Sequence, residues 1–210
     1  MKTKIATAAL CLVVLANYGQ AQLLVLEPDA YLDATVLNHV RPEVSLVTAG
    51  ANNLPIPFDV WARHSTFPFM PPTGSNVFSH AGVPFWNTDR QLRMDFAGVI
   101  STLSIDFQGG TTGSPERGTL EVYNAQNVLL TSYLTALLPG GQIETMSINR
   151  VSPDIAYAIA YTLPGQTSFG RLDHLVFSTP VPEPSAFALL GAGFLGALAV
   201  RRRTRRGQAE

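Results

Sequence analysis

Short stretches in which apolar and polar residues alternate are the feature that most restricts the fold of this chain. Leu103–Phe107 alternates in this way and is soon followed by two glycines, and Gly118–Tyr123 alternates again. A period of two residues is typical of a β-strand that buries one face. Asn124–Asn127 has the composition of a turn, and it leads into another apolar stretch, Val128–Leu130.

Four further segments have strand composition: Leu23–Leu26, Ile143–Ile148, Ile155–Thr162 and Leu172–Ser178. Glycine- or proline-bearing turns separate most of them, and no apolar helical period runs long enough to compete. The pattern predicts a mostly β fold, a single antiparallel β-sandwich that occupies residues 22–180. An N-terminal signal helix and a C-terminal transmembrane helix are predicted to flank this ectodomain.

The N-terminal 21 residues have the three parts of a secretory signal peptide. Lysines at positions 2 and 4 precede an apolar stretch, Ile5–Ala16, and Gly19–Ala21 forms a small-x-small cleavage site. We therefore expect cleavage before Gln22. The single cysteine, Cys11, lies in the apolar stretch, so the mature chain has no disulfide and no thiolate site. Its fold must be stabilised by its core.

The C-terminal end has a second signal, also in three parts. Its first part is the rigid, extended element Val181, Pro182, Glu183, Pro184 and Ser185. The uncharged run 186–200 follows and would span about 23 Å as a membrane helix. An arginine cluster ends the signal: Arg201, Arg202, Arg203, Arg205 and Arg206. Because arginines favour the cytoplasmic side, the rest of the chain is expected to face outward.

These C-terminal residues resemble the PEP-CTERM sorting domain of exopolysaccharide-producing Gram-negative bacteria. The resemblance covers residues 181–206, with Pro182, Glu183 and Pro184 standing as they do in that family. It implies export, anchoring through the C-terminal helix, and processing by an exosortase-type membrane protease at the Pro-Glu-Pro motif. The ectodomain is then displayed at the cell surface or released into the extracellular matrix. The tail is attached to many unrelated domains and does not define the ectodomain's function.

The charge of the predicted ectodomain is acidic and excludes one class of partner. Residues 22–180 contain seven arginines, no lysine and thirteen aspartates and glutamates, a net charge of −6. Nucleic-acid binding requires clustered cations that neutralise phosphates, so we expect no nucleic-acid partner. An acidic surface suits solubility outside the cell, or the binding of divalent cations.

Three carboxylates are candidate ligands for a structural calcium ion. Glu27 and Asp29 lie beside the first predicted strand, and Asp173 lies on the last. The first and last strands of a jelly roll can be neighbours, so these oxygens could converge on a hard cation. The alternative is a set of solvated carboxylates at strand ends. No other cofactor is predicted.

Aromatic residues on a proline-rich segment are candidates for stacking on sugar rings: Phe67, Phe69, Phe85 and Trp86. The alternative is that they pack a long loop onto one face of the sandwich. The four histidines do not show the close spacing of a metal motif and are expected at the surface or at interfaces. The sequence has no Gly-x-Ser-x-Gly elbow, and no catalytic residue is predicted.

From Ser101 onward the strand order also resembles jelly-roll carbohydrate-binding modules. The similar segments are Ser104–Phe107, Gly118–Tyr123 and Arg171–Phe177, although His174 stands where those domains usually have Asn or Asp. The resemblance implies a non-enzymatic module that binds or scaffolds exopolysaccharide. Two alternatives stay open: a secreted glycan-active hydrolase, and a structural adhesion or biofilm-matrix protein without a small ligand.

Overall fold

The computed structural model describes residues 22–65, 71–110, 114–163 and 169–179. Within these ranges the strands are β1 (Leu23–Leu26), β2 (Val44–Ala49), β3 (Val60–His64), β4 (Asn76–His80), β5 (Gln91–Ile100), β6 (Thr102–Gln108), β7 (Arg117–Tyr123), β8 (Leu129–Leu134), β9 (Ile143–Asn149), β10 (Ile155–Leu163) and β11 (Arg171–Ser178). A short 3-10 helix, Pro28–Ala30, follows β1.

The strands form two antiparallel sheets that stack as a sandwich, which confirms the predicted fold class. The six-stranded sheet has the order β3-β4-β11-β6-β9, and β1 pairs with β11 on the same side as β4. The five-stranded sheet has the order β2-β5-β10-β7-β8. The first and last strands are therefore neighbours, as expected for a jelly roll.

Every strand predicted from composition is present, as β1 and as β6 to β11. The predicted turn is also present, because Asn127 has a φ of 62° and donates its N–H to the Asn124 carbonyl at 3.0 Å. Strands β2 to β5 had no predicted counterpart. β4 is buried at all five positions, so its sequence has no alternation between the two faces.

The core lies between the sheets and consists of aliphatic and aromatic side chains without exposed surface. Phe107 is fully buried and illustrates how closely the layers approach. A Cβ at Gly118 would lie 2.4 Å from the Phe107 ring, and a Cβ at Gly170 would lie equally close to it. Only glycine fits at these two positions, because any side chain there would displace the ring. Burying one such ring stabilises the fold by roughly 1.5–3 kcal/mol.

The two ends of the described chain leave the sandwich side by side. Leu23 pairs with Ser178, and the backbone N–H of Thr179 donates to the Gln22 carbonyl at 2.6 Å. We call this the proximal end, because the C-terminal signal follows it directly in the sequence. The distal end is the opposite one, where β4, β6 and β10 end and β5, β7 and β11 begin.

Among the described residues, the strands lie between Leu23 and Ser178 and the buried apolar residues between Leu26 and Phe177. The predicted signal peptide, residues 1–21, and the predicted tail, residues 181–206, lie outside the described residues. Among the residues that are described, no helix has the length and apolar character needed to cross a membrane.

Candidate functional site

A β-bulge in β11 creates the place where the predicted carboxylates meet. β11 pairs with β4 through Leu172 and with β1 from Leu175 onward, so the two neighbouring strands separate between these residues. At the same place the register against β6 shifts between Asp173 and Val176. His174 lies in this bulge with a φ of 50°, a left-handed conformation that is uncommon for residues other than glycine.

The three carboxylates predicted from sequence are brought together in the gap between β1 and β4. One oxygen each from Glu27, Asp29 and Asp173 lies within 4.8 Å of the others. The Thr73 hydroxyl lies between them, 2.8 Å from Glu27 Oε1, 2.9 Å from Asp173 Oδ2 and 3.5 Å from Asp29 Oδ2. A hydroxyl has one proton, so it cannot donate to all three carboxylates. The cluster therefore needs a further proton or a cation.

The connection between β3 and β4 wraps closely around Asp29. Asp29 Oδ1 accepts the backbone N–H groups of Ser75 at 2.6 Å and Asn76 at 2.8 Å. Gly74 has a φ of 42°, and a Cβ there would lie 2.1 Å from Asp29 Oδ2. Glycine is thus required for both the backbone conformation and the close approach. These contacts hold the carboxylate facing the cluster.

Burial raises the pKa of Asp173 to about 8, because the side chain has no exposed surface and its charged form is poorly solvated. The hydrogen bonds from Thr73 oppose this rise, whereas the charge of Glu27 adds to it. His174 Nδ1 lies 2.6 Å from Glu27 Oε2, and this hydrogen bond raises the pKa of the imidazole. Asp173 can therefore stay protonated at neutral pH, and the raised pKa of His174 means that its imidazole keeps its proton to a higher pH than usual.

The same arrangement suits a hard cation. Carboxylate oxygens together with a hydroxyl are the ligand type that Ca²⁺ prefers, and the positive charge of the ion would offset the mutual repulsion of the carboxylates. His174 is already hydrogen-bonded to Glu27, so it would orient that ligand from outside the site. Thr73 was not identified from the sequence, although its place in Pro-Pro-Thr-Gly marks a tight turn.

The predicted aromatic group does not form one stacking surface. Phe67 and Phe69 lie outside the described residues, in the connection between β3 and β4. Trp86 has no exposed surface, and its indole N–H donates to the Phe78 carbonyl at 2.9 Å. The stacking hypothesis is therefore wrong for Trp86, which belongs to the core, because the loop after β4 folds inward over the distal end of the sandwich.

Phe85 does lie at the distal end, together with a partner that was not predicted. Its ring meets that of Phe169 edge to face, with centroids 5.1 Å apart and planes at 84°. Phe169 is 41% exposed and Phe85 is half-buried. The Arg171 guanidinium lies 4.9 Å from the centroid of the Phe85 ring, so it supports that ring from within the protein.

Glu116 fixes the backbone around this aromatic pair. Its carboxylate is almost fully buried and accepts the N–H of Phe169 at 2.8 Å and that of Gly110 at 3.1 Å. Burial raises the pKa of Glu116 and lowers that of Arg171 to about 10, while the attraction between the two groups opposes both shifts. Two distal connections, β6–β7 and β10–β11, are thereby joined beneath the rings.

A cluster of tyrosines covers the outer face of the five-stranded sheet. The rings of Tyr123 and Tyr157 stack with centroids 4.8 Å apart, and the Arg93 guanidinium lies 4.0 Å from the centroid of Tyr157. Glu121 accepts hydrogen bonds from the hydroxyls of Tyr123 and Tyr161, and burial together with this charge raises the pKa of both phenols. Tyr123 and Tyr157 are less than one-tenth exposed, so this face is a packed layer.

His80 also departs from the expected surface position. It is 1% exposed, its ring contacts Trp86 edge to face, and its Nε2 donates to the Phe85 carbonyl at 2.8 Å. Burial and the nearby charge of Arg90 lower its pKa to about 4. His80 is therefore a neutral core residue that supports the distal end.

Comparison with known proteins identifies the C-terminal signal. Residues 180–203 match the PEP-CTERM protein-sorting motif, which directs export and exosortase processing in the cell envelope. No curated protein matches the chain in sequence.

Solved structures with a similar fold include adhesin and carbohydrate-binding domains. The K2 cleaved adhesin domain of Lys-gingipain has 10% identity and a TM-score of 0.48, with 74% of this chain and 99% of that chain covered. The family 29 carbohydrate-binding module CBM29_1 from Piromyces equi has 10% identity and a TM-score of 0.38, covering 77% and 92%. These similarities concern the fold alone.

Proposed function

We propose that this chain is an exported, membrane-tethered envelope protein whose β-sandwich binds or scaffolds exopolysaccharide through its distal end. The main support for the proposal is the orientation of the sandwich, that is, which of its two ends adjoins the sorting signal. The PEP-CTERM match begins at residue 180, one residue after Thr179 at the proximal end. A chain tethered at that point presents the opposite end, with Phe85 and Phe169, away from the membrane.

The distal aromatic pair has the chemistry expected of a sugar contact. Phe169 is 41% exposed, and the guanidinium behind Phe85 and the buried carboxylate of Glu116 hold the pair in position. An aromatic face contacts the C–H groups of a sugar ring and contributes about 1 kcal/mol beyond its area burial. Polysaccharide as the ligand class follows from the resemblance of the strand motifs to carbohydrate-binding modules.

We also propose that the carboxylate cluster binds a structural calcium ion. Glu27, Asp29 and Asp173 would supply the carboxylate ligands, and the Thr73 hydroxyl would supply a neutral one. The ion would hold β1, β4 and β11 together at the bulge. This role is structural, since the cluster lies between strands and Asp173 has no exposed surface.

The arrangement favours a binding role over hydrolysis. In retaining glycosidases the two carboxyl groups are about 5–5.5 Å apart, and in inverting enzymes about 6.5–9.5 Å apart, across a cleft that admits substrate. The carboxylate oxygens of this cluster lie within 4.8 Å of one another around the Thr73 hydroxyl, which leaves no space for a sugar. A substrate could not reach the buried Asp173.

The test is a glycan array with the fragment 22–180, followed by titration of any retained polysaccharide. Phe169→Ala and Phe85→Ala are each expected to weaken binding about fivefold to tenfold, the loss of one ring contact. Val151→Ala is the matched control, because Val151 is fully exposed in the β9–β10 turn at the proximal end. Retention of no glycan would leave the structural matrix alternative. Equal weakening by Val151→Ala would contradict a distal site.

A further inference from the structure

The edge strands of the two sheets differ in how they are protected from pairing with another chain. The edge of β2 is covered, since Leu46 donates its N–H to the Asn38 carbonyl and Ile56 donates to the Thr48 carbonyl. The edge of β3 is covered by residues 34–37, which exchange backbone hydrogen bonds with Val60 and Ala62. Covering an edge in this way prevents it from pairing with another chain.

β1 and β9 carry other protective features. β1 has only four residues, and the Arg41 guanidinium donates a hydrogen bond to the Val25 carbonyl at 3.1 Å. β9 carries the charged residue Glu144. Shortness and charge are two of the ways in which proteins prevent edge pairing. β8 is six residues long and has no charged residue of its own, and in the described part of the chain no backbone segment pairs with its outer edge. Glu144 of β9 contacts only its C-terminal end, where it accepts hydrogen bonds from the Tyr133 hydroxyl and from the N–H of Ala136.

The hydrogen-bonding pattern shows which groups of β8 are available. Thr135 donates its N–H to the Gly118 carbonyl at 3.0 Å, so it faces β7. Because an antiparallel ladder alternates, the backbone groups of Ser132 and Leu134 point away from β7. The bulge in the β7–β8 pair lies at the start of β8, before Thr131. As far as the described residues go, the segment from Thr131 to Leu134 is therefore a regular edge without a partner strand.

This edge also lies in an uncharged stretch of the ectodomain. From Val122 to Ile143 the sequence has no charged residue, whereas residues 22–180 together have a net charge of −6. Three leucines along the edge are about half exposed: Leu129 (49%), Leu134 (51%) and Leu137 (53%). A second copy of the same acidic protein meets no charged residue on β8 itself, although the carboxylates of Glu121 on β7 and Glu144 on β9 lie beside the strand.

We propose that β8 pairs with β8 of a second copy of this chain. The pairing is antiparallel about a two-fold axis, so each copy offers the same surface to the other. The outward N–H and C=O groups of one edge meet those of its copy, and two five-stranded sheets become one continuous sheet. The exposed leucines at both ends of the strand are covered in the same step.

The geometry of this pairing decides which molecules can join. A two-fold axis perpendicular to the sheet reverses the direction of the strands, so the proximal ends of the two copies point in opposite directions. Two chains anchored side by side in one membrane face the same way and do not meet this requirement. The interface therefore connects chains on facing surfaces, or chains released into the matrix. This role is independent of any glycan.

The first experiment measures self-association of the fragment 22–179 by sedimentation equilibrium in the absence of glycan. We expect a reversible dimer. Ser132→Lys places a charge on the free edge and is expected to weaken the dimer by at least about tenfold. Ser147→Lys is the matched control, because Ser147 is an exposed serine on another edge strand, β9. Circular dichroism checks that both variants fold.

The second experiment tests the direction of the pairing. A cysteine added after Thr179 couples the fragment to beads by its proximal end, since no other cysteine follows Cys11. Beads carrying the unmodified edge are expected to clump, and beads carrying Ser132→Lys are expected to stay dispersed. A monomer at all concentrations, or equal weakening by Ser147→Lys, overturns the β8 interface. A dimer in solution without clumping of beads overturns the antiparallel arrangement.

Discussion

Asp173→Asn tests the electrostatic account of the carboxylate cluster. Asp173 is fully buried, and its pKa rises from 3.8 to about 8 in the folded protein. Asparagine has nearly the same shape and can still accept the N–H of Thr73, but it does not ionise. The variant therefore removes the cost of the buried charge while it retains the packing around β11.

The direction of the effect follows from linkage between protonation and folding. A carboxyl whose pKa is raised by folding contributes stability that is fully present below its unfolded pKa of 3.8 and is lost as the pH rises through about 8. One pKa unit corresponds to about 1.4 kcal/mol, so the free energy of unfolding should fall by about 4 kcal/mol between pH 5 and pH 8. The raised pKa of His174 acts in the same direction, because its contribution is lost as the pH rises through its folded pKa.

Urea unfolding of the fragment 22–180 at pH 5 and pH 8, in chelator, measures this difference. We expect Asp173→Asn to be clearly more stable than the wild type at pH 8 and to show a much flatter pH dependence. Asp106→Asn is the control, because Asp106 lies directly opposite Asp173 on β6 and is not fully buried. A wild type equally stable at both pH values, or an Asp106→Asn variant that flattens the curve equally, would refute the reasoning.

Calcium should reverse the order of stability of the wild type and Asp173→Asn. An ion bound only to the folded state adds about 2.7 kcal/mol at a free concentration one hundred times its Kd. The wild type should gain this stability at pH 8, whereas Asp173→Asn, which lacks one ligand charge, should gain little. If chelator and calcium give the same wild-type unfolding curve, the proposal of a calcium site is wrong, and the pH dependence still tests the buried carboxyl.

Three further predictions concern other parts of the molecule. Gly74→Ala should lower the free energy of unfolding by more than about 1 kcal/mol in thermal melts, because a positive φ and a contact with Asp29 exclude a side chain. Trp86→Phe should cost roughly 2–3 kcal/mol in urea unfolding, since it leaves a cavity and an unpaired Phe78 carbonyl, whereas glycan retention should change little. Replacing Pro182, Glu183 and Pro184 with alanines should leave the full-length chain unprocessed in the membrane fraction, and unchanged release on a gel would contradict the sorting role.

The strands that were predictable are those with one face in the core and one outside. β6 alternates Leu103, Ile105 and Phe107 with polar residues, and all three apolar side chains are fully buried. β4 was not predictable, because all five of its residues are buried and the alternation between two faces is lost. β5 does alternate, but its outward residues Arg93 and Asp95 form a partly exposed ion pair, and these charged residues resemble a loop composition in sequence.

The convergence of Glu27, Asp29 and Asp173 was predictable, because it needed only the pairing of the first and last strands. The bulge at His174 and the contribution of Thr73 were not, since both depend on where β4 begins relative to the end of β1. The buried position of Trp86 was not predictable either. Its sequence neighbours suggest an exposed proline-stiffened loop, but the hydrogen bond to Phe78 and the contact with His80 place it in the core.

The three proposed surfaces lie at different places on the sandwich, and this separation allows them to act together. The tether leaves from the proximal end beside Thr179, and the aromatic pair of Phe85 and Phe169 lies at the distal end. The free edge of β8 runs along the side between them. In a dimer joined through β8 the two copies point in opposite directions. The distal end of each copy therefore lies beside the tether of the other copy. Such a dimer can hold polysaccharide close to both anchored surfaces at once. A dimer joined through the distal ends or through the proximal ends of its copies could not do so.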